Sequence, residues 1–314
     1  MAPPFGDRVA SAVAGRESQL VVGLDPDPSR LWPAAMAAES GGGSTGRPDA
    51  RASRAVAAHC RLVVDAVGPE CVAVKLQLAC FERLGGPGWE ALRAVAAAAR
   101  DRGLLVIADA KRGDIDVSAS AYAQAFFGQT ATEYGEVDGI GADAMTANPL
   151  LGLDSLEPLV AAARSRGAGV FVLVRTTNPG AEDVQELELA RGGSVSDRLA
   201  ELVAGMGSSG IGSHGLADVG AVVGATAPER LTALRELMPQ TIFLIPGVGA
   251  QGGSVARLRA AFAPGPAGAL ISASRGIVDA HRSEGGEPAD AARRVAARLR
   301  EAAWSLARDG AVAN

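Results

Sequence analysis

Eight short apolar runs recur along this chain, each followed by an Ala-, Leu- and Arg-rich stretch. They cover residues 20–24, 71–76, 104–108, 139–142, 170–174, 221–223, 242–245 and 269–271. Runs with so little polar alternation suit strands buried on both faces, the situation in a parallel sheet covered by helices. The intervening stretches, residues 90–102 and 228–237 among them, carry the periodicity of amphipathic helices. Eight β-then-α units favour a closed (β/α)8 TIM barrel over an open doubly wound sheet. The 314 residues fit one such barrel, since this architecture reaches about 250 residues or more as a single domain. Residues 1–314 are therefore expected to form a single (β/α)8 barrel domain.

Two stretches depart from the alternation. Residues 39–49 (ESGGGSTGRPD) are rich in Gly and Ser and predict a flexible insertion between the first strand and its helix. Residues 178–194 form an unusually long loop after the fifth strand, on the face where long loops serve as lids.

Composition narrows the function classes. A formal net charge of −5 gives no mark of a nucleic-acid binder. No apolar run approaches the roughly 20 residues that span a bilayer, and the N-terminus lacks a basic-then-apolar export pattern. The three cysteines, Cys60, Cys71 and Cys80, are odd in number and contain no C-x-x-C pair. They predict reduced thiols in a cytoplasmic protein. His59, His214 and His281 show no metal-ligand spacing, so no metal is expected. Of the 30 basic residues only Lys75 and Lys111 are lysines; the rest are arginines. Arginine keeps its proton in proteins, so side-chain amine chemistry has two candidates.

A barrel places function just beyond the C-terminal ends of its strands. The polar residues there are Asp25, Lys75, Asp109, Lys111, Asp114, Asn148, Thr176, Thr177, Thr226, Gln251, Ser274 and Arg275. Asp109 and Lys111 lie two apart, facing one side while the chain stays extended. Asp114 follows past a glycine, and Lys75 ends the neighbouring strand. Carboxylates beside a lysine favour its ammonium form, which suits a proton donor and disfavours a Schiff base. The alternating charges also preorganise a field for a developing carbanion. After the seventh strand, Pro246-Gly247-Val248-Gly249-Ala250-Gln251-Gly252-Gly253 opens a predicted helix, and after the eighth comes Ser272-Ala273-Ser274-Arg275. Loops at these two positions form the usual phosphate site of such barrels, and an arginine can grip phosphate bidentately. Arg175-Thr176-Thr177-Asn178-Pro179-Gly180 offers hydroxyls to a heterocycle, or is a polar turn.

Together these motifs resemble the orotidine 5′-phosphate decarboxylase family. The carrying segments are Val22-Gly23-Leu24-Asp25, Val74-Lys75, Asp109-Ala110-Lys111-Arg112-Gly113-Asp114-Ile115, Thr177-Asn178-Pro179-Gly180, the glycine-rich loop, and Ala273-Ser274-Arg275. The K-R-G-D-I form and Thr146-Ala147-Asn148-Pro149 are similar to the longer bacterial branch. The resemblance implies cofactor-free decarboxylation of orotidine 5′-phosphate to UMP, the last step of pyrimidine nucleotide synthesis. It implies Lys111 as proton donor to C6, with Asp109 beside the departing carboxylate and Lys75 and Asp109 holding Lys111 in line. Asp25 and Lys75 would contact the ribose, Thr177 the pyrimidine, and Gln251 and Arg275 the phosphate, with Pro246 and Ser274 lining that end. It further implies a homodimer with shared sites, in which Asp114, Ile115 and Ser118 complete the neighbour's site. Departures from the family pattern are Asp116 where Pro is common, Thr177 where Ser is common and Ser274 where Gly is common. A related metal-dependent sugar-phosphate lyase carries Glu where this chain has Lys75, and a cation there repels the metal. A catalytically inactive ligand-binding barrel is disfavoured by the intact Lys75, Asp109, Lys111 and Asp114. A Schiff-base aldolase is disfavoured by the carboxylates gathered around the lysines.

Overall fold

The structure is a computed structural model that describes residues 2–41, 46–249 and 252–311. Ten strands occur among them: β1 (Leu20–Leu24), β2 (Ala73–Gln77), β3 (Leu105–Arg112), β4 (Gln129–Thr132), β5 (Gly135–Asp138), β6 (Ala144–Ala147), β7 (Gly169–Arg175), β8 (Val219–Val223), β9 (Phe243–Pro246) and β10 (Ala269–Ala273). Eight of them close into a parallel barrel in the order β1-β10-β9-β8-β7-β6-β3-β2. The expected (β/α)8 barrel is the observed fold.

Two cores follow from strand parity. Side chains alternate across a strand, so every second residue points into the barrel. Val21, Ala73, Leu105, Ile107, Ala144, Phe171, Val222, Leu244 and Leu270 form an inner cluster. Their neighbours Leu20, Val22, Val74, Val106, Met145, Val172 and Ile271 face outward under the helices. The helix Phe5–Arg16 plugs the N-terminal end of the barrel. Phe5 meets Phe171 edge-on with ring centroids 5.8 Å apart, and its burial contributes about 2 kcal/mol. That ring occupies the space a side chain on Gly169 would need.

Three expectations need correction. The fourth barrel strand is Ala144–Ala147, not residues 139–142. Gly141 sits at φ +63°, which ends extended structure, and Asp143 turns inward to accept the Val106 N–H at 2.7 Å. The residues before it form an unforeseen antiparallel hairpin, β4 with β5, exposed along its length. The glycine-rich loop after β9 does not open an α-helix; the 3-10 turns Val255–Arg257 and Arg259–Phe262 follow instead. Finally, the predicted insertion 39–49 is helical at both described edges. Glu39 belongs to helix Pro33–Gly41, and Pro48 and Asp49 open helix Pro48–Val67; residues 42–45 lie outside the described residues. Among the described residues, no helix is long and apolar enough to cross a membrane.

Candidate active site

The inward parity that builds the core also delivers the site. Continuing each inward file beyond its last apolar residue brings Asp25 from β1, Lys75 and Gln77 from β2, Asp109 from β3, Thr146 from β6 and Ser272 from β10 to one place. They converge at the C-terminal mouth on a cavity of about 490 Å³.

Asp109 is its centre. One carboxylate oxygen accepts from Lys75 Nζ at 2.5 Å and from Gln77 Nε2 at 3.4 Å. The other accepts from Lys111 Nζ at 2.5 Å and from Thr146 Oγ1 at 2.9 Å. Lys75 Nζ also lies 3.9 Å from Asp25 Oδ1. Burial alone would raise the Asp109 carboxyl, but the ammonium groups of Lys75 and Lys111 override it and bring its pKa down to about 2. Burial works against the charge of Lys75 in the same way; Asp109, then Asp25, raise its pKa above the ordinary lysine value. Lys75 and Asp109 are buried, whereas the Lys111 side chain is 45% exposed and reaches the open space.

Lys111 is held in an unusual backbone state. Its φ is +48°, a left-handed conformation that costs an L-residue about 1–2 kcal/mol. The cause lies in the ladder: Ala108 pairs with Met145 and Arg112 with Ala147, so β3 carries extra residues against β6. The chain is therefore not extended through Lys111 as expected. The Asp109 and Lys111 side chains meet nonetheless, because the bulge turns the lysine back over the mouth. Strain of this kind concentrates at functional sites.

Opposite the charge cluster, Pro246, Gly247 and Val248 line the cavity together with Ser274 and Arg275. Gly247 and Gly249 sit at φ +95° and +78°, which few L-residues tolerate, so the loop folds back with Gly249 N–H donating to the Gly253 carbonyl at 2.9 Å. Arg275 is exposed to the cavity and has no carboxylate partner among the described residues. Ser274 packs so closely on Gly23 that a Cβ there would lie 1.8 Å from its Oγ. Gln251 lies outside the described residues.

Thr177 lines the third wall. Its neighbour Thr176 is tied into the long loop: Thr176 N–H donates to Gln185 Oε1 at 2.8 Å, and Gln185 Nε2 donates to Thr176 Oγ1 at 2.9 Å. Glu186 accepts from Arg175 Nε at 2.6 Å. Residues 178–194 are thereby fastened at the rim, and Asn178 and Gln185 face the cavity.

Three sequence candidates are not brought into this cavity. Asp114 is half-buried, and Ile115 and Ser118 are exposed, all on the rim beyond β3. The Asp114 carboxylate accepts the Ile115 N–H at 2.8 Å. Asp116 has φ +48°, which the ring of a proline excludes, so the departure at this position carries its own backbone geometry. Conversely, Gln77, Thr146 and Gln185 are site residues that sequence reasoning missed as such. Gln77 was recoverable from parity, two residues after Lys75; Gln185 carries no local signal.

A closed parallel barrel with its charged groups gathered at the C-terminal mouth defines a TIM-barrel enzyme. Residues 18–295 match the profile of the family described as orotidine 5′-phosphate decarboxylase / HUMPS, and the chain belongs to that family. The orotidine 5′-phosphate decarboxylase of Rhodopirellula baltica is 42% identical over 280 residues, covering 89% of this chain and 90% of that protein. That of Deinococcus radiodurans is 41% identical over 302 residues, covering 96% and 97%. Among solved structures, the OMP decarboxylase of Leishmania donovani superposes with a TM-score of 0.71 at 30% identity, covering 97% of this chain and 99% of that one.

Proposed function

We propose that this chain decarboxylates orotidine 5′-phosphate to UMP without a cofactor, in pyrimidine nucleotide synthesis in the cytoplasm. One observation carries the reading: the Lys75–Asp109–Lys111 array and Arg275, which has no carboxylate partner among the described residues, share a single cavity beside a glycine-rich loop. In this reading the phosphate is held by Arg275, Gln251 and the loop from Pro246, with Ser274 alongside. The ribose lies against Asp25 and Lys75, and the pyrimidine against Thr177. That grip puts C6 next to Lys111 and the substrate carboxylate next to Asp109.

The reaction then needs little further machinery. The bond from C6 to the carboxylate breaks, carbon dioxide leaves, and the electron pair stays on C6. Fixed ammonium charge lowers the energy of that pair without reorganisation. The Lys111 ammonium donates its proton to C6, leaving a neutral amine that solvent reprotonates. Binding energy at the remote phosphate serves to close loops over the base and exclude water. Residues 178–194 are the second cover.

Asp114, Ile115 and Ser118 are assigned to the neighbouring site of a homodimer. Their place on the rim supports this, as does the apolar surface around them: Ile115 is 47% exposed, Val117 83% and Leu150 78%. The deciding experiment is a purified-protein assay for loss of orotidine 5′-phosphate with and without chelator. Turnover that survives the chelator is expected, with Lys111→Ala folded, able to bind UMP and inactive. Absence of turnover, or its loss on chelation, overturns the reading; near-normal turnover in Lys111→Ala removes the proton-donor role.

A further inference from the structure

We propose that Thr146 is a positioning residue for the reaction, locking Lys111 and Asp109 into a single geometry through its hydroxyl; this rests on the decarboxylase reading above. The bulge between β3 and β6 removes the Lys111 N–H from the strand ladder. A buried N–H without a partner is costly, and a left-handed lysine is unfavourable by itself. Thr146 answers both. Its Oγ1 accepts the Lys111 N–H at 2.9 Å and donates its only proton to Asp109 Oδ1 at 2.9 Å. Thr146 is 1% exposed and lies on the inward file of β6, directly across the bulge.

The arrangement is a closed loop of contacts: Lys111 backbone to Thr146, Thr146 to Asp109, Asp109 to the Lys111 ammonium. A threonine hydroxyl has one proton, so donating to Asp109 orients its lone pairs toward the Lys111 N–H. The same group therefore fixes where the lysine leaves the backbone and which way the carboxylate faces. Proton delivery to carbon depends steeply on that placement, and a displacement of about 1 Å can cost about 100-fold in rate. Thr146 itself touches the reacting atoms only through Lys111 and Asp109.

The test compares Thr146→Val, which keeps the shape and removes the hydroxyl, with Thr146→Ser, which keeps the hydroxyl. Thr146→Val is expected to lower kcat by roughly 10- to 100-fold with KM and UMP affinity within about threefold of the parent. Thr146→Ser is expected to recover most of kcat. Should the valine variant fail to fold, Thr146→Ala removes the same hydroxyl. An unchanged kcat in the hydroxyl-free variant overturns the proposal, as does an effect confined to KM or a serine variant as impaired as valine. If the parent protein itself does not turn over orotidine 5′-phosphate, the functional reading fails separately. The positioning then stands or falls on crystal structures, in which a valine variant keeping Lys111 at positive φ and its ammonium on Asp109 overturns it.

Discussion

Asp109 is buried, yet it is held firmly in its charged form. Its depressed pKa, about 2 against an ordinary 3.8, makes it a store of pH-dependent stability. The ionised carboxylate is favoured in the folded state, so its contribution is complete above about pH 4 and is lost as pH falls through about 2. The amount is about 2 kcal/mol. Lys75 has the opposite sign: its pKa is raised, so its contribution is complete below the ordinary lysine value and is lost as pH rises through the folded one. Denaturant unfolding across pH checks both. Asp109→Asn is expected to flatten the acid limb. It leaves the buried Lys75 ammonium with only the more distant Asp25 carboxylate, so the loss of stability above the ordinary lysine value should shrink in this variant. An unchanged acid limb would show that other carboxylates carry the effect.

The connections between elements hold what the linear sequence concealed. Strands β1, β2, β7, β9 and β10 lie where continuous apolar runs place them, since burial on both faces leaves a local mark. The fourth strand does not, because Thr146 interrupts its apolar character for the sake of the site, while residues 139–142 are apolar but glycine-bent. The two site lysines and Asp109 were legible from type and spacing; Thr146 was not, because Asp109 and Lys111 are distant from it in sequence, nor was Gln185, which sits in an irregular loop with no local pattern to mark it. The seventh connection shows how an absent helix is replaced. The Arg235 guanidinium lies over the Phe243 ring, 3.7 Å from its centroid, and donates to the carbonyls of Met238, Thr241, Ala261 and Gly268. Burial lowers its pKa to about 9. One side chain thus ties helix Arg230–Leu237 to the 3-10 turns and to the residue before β10. Arg235→Met leaves these carbonyls without their donor and is expected to cost about 3 kcal/mol. Thermal or denaturant unfolding measures it; a folded variant retaining normal kcat would confirm that the effect is structural.

At the scale of the whole molecule, one chain supplies the cavity, the charge array and the glycine-rich loop, but it leaves Asp114 outside. A homodimer that closes each site with the neighbour's rim makes a quantitative prediction. Lys111→Ala disables the site in its own chain, whereas Asp114→Asn disables the site in the partner. Each variant alone is expected to be nearly inactive. Mixed and allowed to exchange subunits, half of the dimers become hybrids, and every hybrid carries one doubly damaged and one intact site. Activity should therefore return to roughly a quarter of the parent level at equal total protein. It should appear at the rate of subunit exchange and depend on protein concentration, because dilution below the dimer affinity separates the two halves. Recovery fixes Asp114 as a residue acting across the interface. If the mixture stays inactive after exchange has been shown by a tag on one subunit, Asp114 serves its own chain, and the rim has to move inward on substrate binding to reach the cavity.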